Sequence, residues 1–184
     1  MFSESGGALD CAATNVAGVL AISRVGTHEI VITPVDFNKM FDLALQMLTT
    51  SIQESDAHIS HDPLPTLNVD AGQMVQLLQN LIGNAIKFRG EQPPRIHLGV
   101  ERQNDCWQFA MHDNGIGIDP QYFQRIFLIF QRLHTRAEYP GTGIGLAICE
   151  KIIERYGGKI WVESQPGHGA TFYFTIPTRG ARIS

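Results

Sequence analysis

The chain has 184 residues, of which 43% are hydrophobic and 17% are charged, so it can form a hydrophobic core and is not disordered over its whole length. Its 14 basic and 18 acidic residues give a net charge of −4, which argues against a nucleic-acid-binding surface. The 3 cysteines are widely spaced and form no CxxC pair, so they indicate neither a disulfide framework nor a zinc site and favour a reducing cytoplasm.

The first elements in chain order are a short apolar segment, a strand and a helix. Residues 9–22 have apolar positions at near-helical spacing, but polar residues interrupt the segment and it is too short to span a bilayer, so we expect a soluble chain without membrane contact. Glu29–Ile32 is typical of a short β-strand. Pro34, a residue favoured in the first helical turn, predicts a helix that continues to Ile52.

Strands and helices then alternate to the end of the chain. Asp70 is expected to cap a long helix over Ala71–Phe88, and Gly157 is expected to end a helix over Ile144–Tyr156. The predicted strands lie at His58–His61, Thr66–Val69, Arg95–Arg102, Cys106–Asp113, Lys159–Ser164 and Gly169–Ile176. This order predicts an α/β fold, a two-layer α/β sandwich with three main helices and a mixed, mostly antiparallel sheet.

One face of the helix from Ala71 carries candidate chemistry. Asn80, Asn84 and Lys87 are spaced at i, i+4 and i+7, so they share one stripe of the helix surface. Mg²⁺ takes oxygen ligands and keeps several waters, so we predict Asn84 as a metal ligand and Lys87 as a catalytic partner of a phosphate group. The alternative is a polar stripe that only contacts solvent.

Asp113 ends a predicted strand and is followed closely by Gly115 and Gly117. A carboxylate here can accept a hydrogen bond from the exocyclic amine of adenine, whereas the guanine carbonyl at that position would face it unfavourably. The glycines would let the backbone approach the base, and Ile116 and Ile118 could form part of its wall. The alternative is a plain turn.

A glycine-rich segment precedes the helix at Ile144. It lacks both the dinucleotide fingerprint and the P-loop lysine, but free amide groups at the start of a helix can bind phosphate oxygens. A simple loop is the alternative. The candidate phosphate-binding residues are Gly141, Thr142, Gly143, Gly145 and Leu146.

Four motifs follow one another in a fixed order: Asn80–Phe88, Asp113–Gly117, Gly141–Leu146 and Gly167–Phe172. Together they resemble the catalytic and ATP-binding domain of sensor histidine kinases, a member of the GHKL superfamily with type II topoisomerases and Hsp90. Phe127–Cys149 is most similar to bacterial and cyanobacterial phytochrome-type kinases. The resemblance covers about Val35 to Pro177, and implies the Bergerat-type ATP-binding fold with ATP and Mg²⁺ as cofactors.

The resemblance also implies roles for residues outside the helix stripe. Residues 119–140 resemble the ATP lid, in which Phe130 belongs to the F box and is a candidate cofactor-binding residue, and Arg132 is a candidate catalytic residue. Thr171 resembles the hydroxyl residue that shares a water with Asp113. Asn80 stands where ATP-hydrolysing relatives have a glutamate, and since an amide is no general base, transfer of the γ-phosphoryl group is favoured over hydrolysis.

We therefore expect a phosphoryl-transferring domain that acts on a histidine elsewhere. Residues 1–27 resemble the remnant of a dimerisation and phosphoacceptor helix, with an irregular N-terminal segment as the alternative. Residues 28–178 resemble the catalytic ATP-binding domain, and residues 179–184 are expected to form a tail. His61 lies between short predicted strands, and we interpret it as structural. The implied partners are the phosphoacceptor domain of a homodimeric parent kinase and a response regulator. Two alternatives are a GHKL-type ATPase or conformational clamp, and a non-catalytic interaction module with a vestigial pocket.

Overall fold

A computed structural model of the protein describes residues 31–131, 133, 139 and 142–178. The segment 1–27, the tail 179–184 and the candidate residues Arg132 and Gly141 lie outside these described residues. The helices are α1 (Phe37–Met47), α2 (Thr49–Ser55), α3 (Ala71–Lys87) and α4 (Gly145–Arg155). The strands are β1 (Thr33–Asp36), β2 (His58–His61), β3 (Thr66–Val69), β4 (Arg95–Gln103), β5 (Cys106–Asp113), β6 (Ile160–Ser164) and β7 (Ala170–Pro177).

The main sheet has five strands in the order β2-β4-β5-β7-β6, and only the β2–β4 pair is parallel. Alternate residues of the strands are buried against the helices, so the core lies between the sheet and one helical layer. The ring of Phe109 stacks on Phe37 at 4.8 Å and on Phe174 at 4.7 Å, which joins helix α1 to the centre of the sheet. The predicted two-layer α/β sandwich is confirmed.

The start of the first helix was predicted wrongly. Pro34 lies in strand β1, which pairs with β3 in a separate two-stranded sheet, and the helix begins at Phe37. The carboxylate of Asp36 accepts a hydrogen bond from the backbone N–H of Asn38 at 3.0 Å and so supplies the cap. Proline is tolerated in β1 because an edge strand leaves one row of backbone groups unpaired.

The predicted helix to Ile52 is in fact two helices. Leu48 leaves the helical conformation at φ −103° and ψ 10°, and the hydroxyl of Thr49 donates a hydrogen bond to the carbonyl of Gln46 at 2.7 Å. Hydroxyl side chains that bond to the preceding turn compete with the helical backbone, which explains the break. Within the described residues, no helix is long and apolar enough to cross a membrane.

Candidate functional site

A cavity of about 340 Å³ lies between helix α3, the loop after β5 and the start of α4. Most of the residues predicted from the sequence meet there, although they come from four distant segments of the chain. Those that line the cavity are Asn80, Asn84, Lys87, Asp113, Gly117, Ile118, Thr142, Gly143, Gly145 and Leu146.

Helix α3 forms one side of the cavity. Its apolar face is buried in the core through residues such as Leu77, Leu81 and Ile82, and this leaves the predicted polar stripe on the cavity side. Asp70 caps the helix as expected, because its side chain accepts from the backbone N–H of Gln73 at 3.0 Å.

Asn80 of helix α3 and Phe88, the residue that follows the helix, lie near opposite ends of the stretch that borders the cavity. The carbonyl of Phe88 accepts a hydrogen bond from Ile116 N–H at 3.0 Å, which ties the helix end to the loop of Asp113. Asn80 lies eight residues earlier, next to Gly145 of α4. Since an α-helix rises 1.5 Å per residue, these ends are about 12 Å apart.

Asp113 is almost completely buried, with 7% of its surface exposed. Its Oδ1 accepts two backbone hydrogen bonds, from Gly115 N–H at 2.8 Å and from Ala170 N–H at 3.1 Å. Within the described part of the chain, Oδ2 has no such partner, so it is left to a ligand in the cavity that Asp113 lines. Burial raises the pKa of this carboxyl above its usual value, against the opposing effect of the two N–H groups.

The glycines after Asp113 are required first by the protein's own backbone. A Cβ on Gly115 would lie 2.5 Å from the carbonyl oxygen of Phe88, and one on Gly117 would lie 2.1 Å from that of Gln165. Gly117 also has a φ of +72°, in the left-handed region that side chains disfavour. The protein's own backbone therefore accounts for both glycines. Gly117 lines the cavity and Gly115 does not, and a close approach of Gly117 to a base stays a prediction.

The start of α4 faces the other end of the cavity. Ile144 is the capping residue and supplies no side-chain hydrogen bond, while Thr142, Gly143, Gly145 and Leu146 line the cavity. Helix starts of this kind present unpaired N–H groups and a positive dipole end, which suits phosphate oxygens. The cavity thus has a hydrogen-bond acceptor at one end and an anion-binding helix start at the other.

The structure does not bring Thr171 to Asp113, which corrects that expectation. Thr171 pairs in register with His112, and its Oγ1 lies 3.0 Å from His112 Nδ1 on the opposite face of the sheet. The preceding residue, Ala170, faces the cavity and reaches Asp113 through its backbone N–H. The reason is the period of two along a strand, which sends neighbouring side chains to opposite faces.

Phe130 is also absent from the residues that line the cavity. Its side chain is 44% exposed, its φ is +63°, and its backbone N–H donates to the carbonyl of Gly143 at 3.1 Å. This backbone bond attaches the lid to the segment before α4. In this conformation Phe130 contributes to the site through its main chain, and its predicted role in binding the cofactor is not supported by the lining of the cavity.

Several apolar wall residues were not predicted as part of the site. Phe172 could have been found by the same period of two that places Ala170, because the two residues alternate with Thr171. Ile126 and Leu133 have no motif that distinguishes them from ordinary apolar residues. Ile116, which was predicted as a wall residue together with Ile118, does line the cavity. The residues of the wall that were not predicted are Gln79, Gly83, Ala85, Phe88, Ile126, Gln131, Leu133, Tyr139, Ala170 and Phe172.

The position of Thr171 gives a direct test of the site. We expect Thr171→Val to change nucleotide affinity by less than about twofold, because its hydroxyl contacts His112 on the far side of the sheet. Calorimetric titration with ATP would measure this. A loss comparable to that of one hydrogen bond, about tenfold for 1.4 kcal/mol, would place the hydroxyl in the site after all.

Comparison with known proteins agrees with this geometry. The sequence profile of the family described as histidine kinase-, DNA gyrase B- and HSP90-like ATPase matches residues 69–180. Cyanobacterial phytochrome A of Nostoc sp. (strain PCC 7120) is 59% identical over 167 residues, which cover 91% of this chain and 22% of that protein. The phytochrome-like protein Cph1 of Synechocystis sp. (strain PCC 6803) is 52% identical over 164 residues, covering 89% and 22%. The chain thus spans about a fifth of the length of these curated relatives.

Solved structures of histidine kinases have the same fold. Full-length ShkA, determined in complex with AMPPNP, matches with a TM-score of 0.77 and 29% identity, over 95% of this chain and 37% of that one. The nucleotide-free catalytic domain of histidine kinase ThkA matches with a TM-score of 0.69 and 28% identity, over 80% of this chain and 96% of that one.

Proposed function

The chain belongs to the family of histidine kinase-, DNA gyrase B- and HSP90-like ATPases, and we propose that it is the catalytic ATP-binding part of a two-component sensor histidine kinase. In this proposal it binds magnesium-ATP and transfers the γ-phosphoryl group to a histidine of a separate phosphoacceptor domain. That domain would belong to the same parent kinase, a phytochrome-type homodimer, which passes the phosphoryl group to a response regulator.

The observation that carries this proposal is the distribution of polar groups along the cavity. Asp113 offers Oδ2 as an acceptor at one end, and the start of α4 offers N–H groups at the other. An adenine amine and a polyphosphate separated by a ribose match these two ends, which lie about 12 Å apart along helix α3. Lys87 lines the cavity near Phe88, with its Nζ 4.3 Å from the centroid of the Phe88 ring. In this proposal its long side chain extends along the cavity and its charge neutralises the phosphate groups.

Transfer is favoured over hydrolysis by the amide at Asn80. Asn80 lines the cavity at the α4 end, where a general base would have to act on water. A carboxamide cannot take a proton near neutral pH, so water would attack the γ-phosphate without assistance. A positioned acceptor, by contrast, needs mainly alignment and charge neutralisation, to which Lys87 and Arg132 of the lid would contribute.

In this proposal Mg²⁺ binds at the site together with the triphosphate of ATP. The described residues contain no group of three or more histidine, cysteine or acidic side chains that could hold a metal ion by themselves. Asn84 lines the cavity and can offer an amide oxygen, a hard ligand of the kind Mg²⁺ accepts beside phosphate oxygens and waters. We therefore propose Asn84 as the one metal ligand among the described side chains.

We expect Asn84→Ala to remove most of the magnesium dependence of ATP binding. The variant should bind ADP without magnesium about as well as the parent chain does, because Asp113 and the start of α4 are unchanged. Calorimetric titrations of both proteins with ATP and ADP, each with and without MgCl₂, would measure the difference.

Gln79→Ala provides a control on the same helix, since Gln79 lines the cavity and donates to the Met47 sulfur at 3.0 Å. It should keep the parent's magnesium dependence. Equal magnesium dependence in the parent and in Asn84→Ala would show that Asn84 is not the ligand. Failure of the parent chain to bind any adenine nucleotide would overturn the proposed function itself.

A further inference from the structure

The side chain of Asn80 is enclosed by helix α4 as well as by its own helix. A Cβ placed on Gly145 would lie 3.4 Å from Asn80 Oδ1, at van der Waals distance. The start of α4 therefore lies directly against the oxygen end of the carboxamide.

Cys149 lies one helical turn after Gly145, on the same face of α4. Its side chain is completely buried, and Sγ lies 3.9 Å from the carbonyl oxygen of Leu77, within helix α3. Burial raises the pKa of the thiol to about 12, and the neighbouring Asn80 carboxamide acts in the opposite direction. The thiol is therefore uncharged at neutral pH, and it is in contact with Asn80.

The nitrogen end of the same carboxamide lacks a strong partner. Asn80 Nδ2 is buried, and among the described residues it has no hydrogen bond of standard geometry. The thiol beside it is only a weak acceptor, so the contact holds the amide without satisfying it. Buried donors are nearly always satisfied in folded proteins, so an exception calls for an explanation in function.

We propose that Cys149 is a positioning residue for Asn80 in nucleotide binding. The start of α4 lies against the oxygen end of the carboxamide and Cys149 contacts its nitrogen end, which fixes the rotamer at the polyphosphate end of the cavity. Asn80 also lines the cavity beside the start of α4, so a fixed rotamer of its carboxamide fixes the shape of the polyphosphate end. This inference rests on the proposed function, and it links the start of α4, directly after the lid, to helix α3.

The test compares Cys149→Ala with the parent chain by calorimetry. Cys149→Ala removes the contact, so the affinity for magnesium-ATP should fall roughly three- to tenfold, the usual effect of losing one weak polar contact. The affinity for adenosine should be unchanged, because Asp113 lies at the other end of the cavity. Cys149→Ser keeps a polar atom at this position and should stay within about twofold of the parent.

Two controls separate positioning from a general loss of packing. Ile153→Val removes a methylene group from the next turn of α4, where Ile153 is fully buried, and should leave the affinities unchanged. In the Asn80→Ala background, Cys149→Ala should have no further effect on magnesium-ATP, since the residue through which it acts is gone.

The possible results distinguish the two proposals. The positioning role would be overturned if Cys149→Ala had the same effect with and without Asn80. It would also be overturned if Cys149→Ala alone left the magnesium-ATP affinity unchanged. In both cases, ATP binding by the parent chain would still support the proposed function. A parent chain that does not bind ATP would overturn both.

Discussion

The Asp113→Asn variant is expected to fold normally and to lose most of its affinity for ATP. Both backbone donors, Gly115 N–H and Ala170 N–H, bind Oδ1, which an asparagine retains. The substitution therefore replaces only Oδ2, and puts an N–H₂ donor where an adenine amine also donates. Losing a hydrogen bond to a charged group costs about 1.5–3 kcal/mol, or roughly tenfold to a hundredfold in the dissociation constant.

The measurement is calorimetric titration with ATP and with ADP, both of which should weaken equally because the base is common to them. Asp119→Asn is a matched control, since the Asp119 side chain also accepts a backbone hydrogen bond, from Gln121 at 3.0 Å, but does not line the cavity. Unchanged ATP affinity in a folded Asp113→Asn protein would remove Asp113 from the site.

The Asp113 carboxyl also makes the stability of the fold depend on pH. Burial raises the pKa of Asp113 in the folded chain, so the folded state binds a proton more readily than the unfolded state does. Its contribution to stability is therefore present at low pH and is lost as the pH rises through the raised pKa. At neutral pH the ionised carboxylate destabilises the fold, so Asp113→Asn should melt at a higher temperature than the parent, and the difference should vanish in acid.

ATP affinity has the opposite pH dependence. Binding requires the ionised carboxylate, and it should weaken on acidification at a higher pH than an ordinary aspartate would cause. Higher stability combined with lost binding is the pattern expected when a buried charge is retained for function.

The elements that the sequence predicts well are those specified by neighbouring residues. Helix α3 has a capping Asp70, a regular apolar period and a polar stripe, and all three signals lie within its own segment. The glycine segment before α4 was predicted for the same reason. The predicted helix start at Pro34 was wrong because proline is compatible both with a first helical turn and with an edge strand. Only the pairing of β1 with β3 decides between them.

Features that depend on distant pairing could not be read from the sequence. The face occupied by Thr171 follows from the register of β5 against β7, which aligns it with His112 instead of Asp113. The contact of Cys149 with Asn80 likewise arises from the packing of α4 on α3, between residues far apart in the chain. The sequence predicted Asn80 as a site residue from its position on the polar stripe. It did not predict that Asn80 Nδ2 lacks a hydrogen-bond partner among the described residues.

Phosphoryl transfer is expected to require an acceptor supplied from outside the described domain. Five histidines lie within the described residues, and none of them lines the cavity. The ring of His61 packs against Phe41 at 4.7 Å on a different part of the sheet. Since transfer needs a nucleophile held in line with the γ-phosphate, we predict that residues 1–184 bind ATP but neither label themselves nor hydrolyse it quickly.

Adding the dimerisation and phosphoacceptor helices of a phytochrome-type kinase, in cis or in trans, should allow residues 1–184 to phosphorylate the histidine of those helices. Alignment of bound reactants can be worth an effective concentration on the order of 10⁵ M or more, so the change should be from no detectable label to readily measured label. Radiolabelled ATP would show the product as an acid-labile, base-stable phosphate, which a His→Gln change in the added hairpin should abolish.

Asp113→Asn in the catalytic chain should reduce labelling in proportion to its lost affinity at low ATP concentration. Strong labelling of residues 1–184 alone, on His61 or any other side chain, would contradict the assignment of the acceptor to a separate domain.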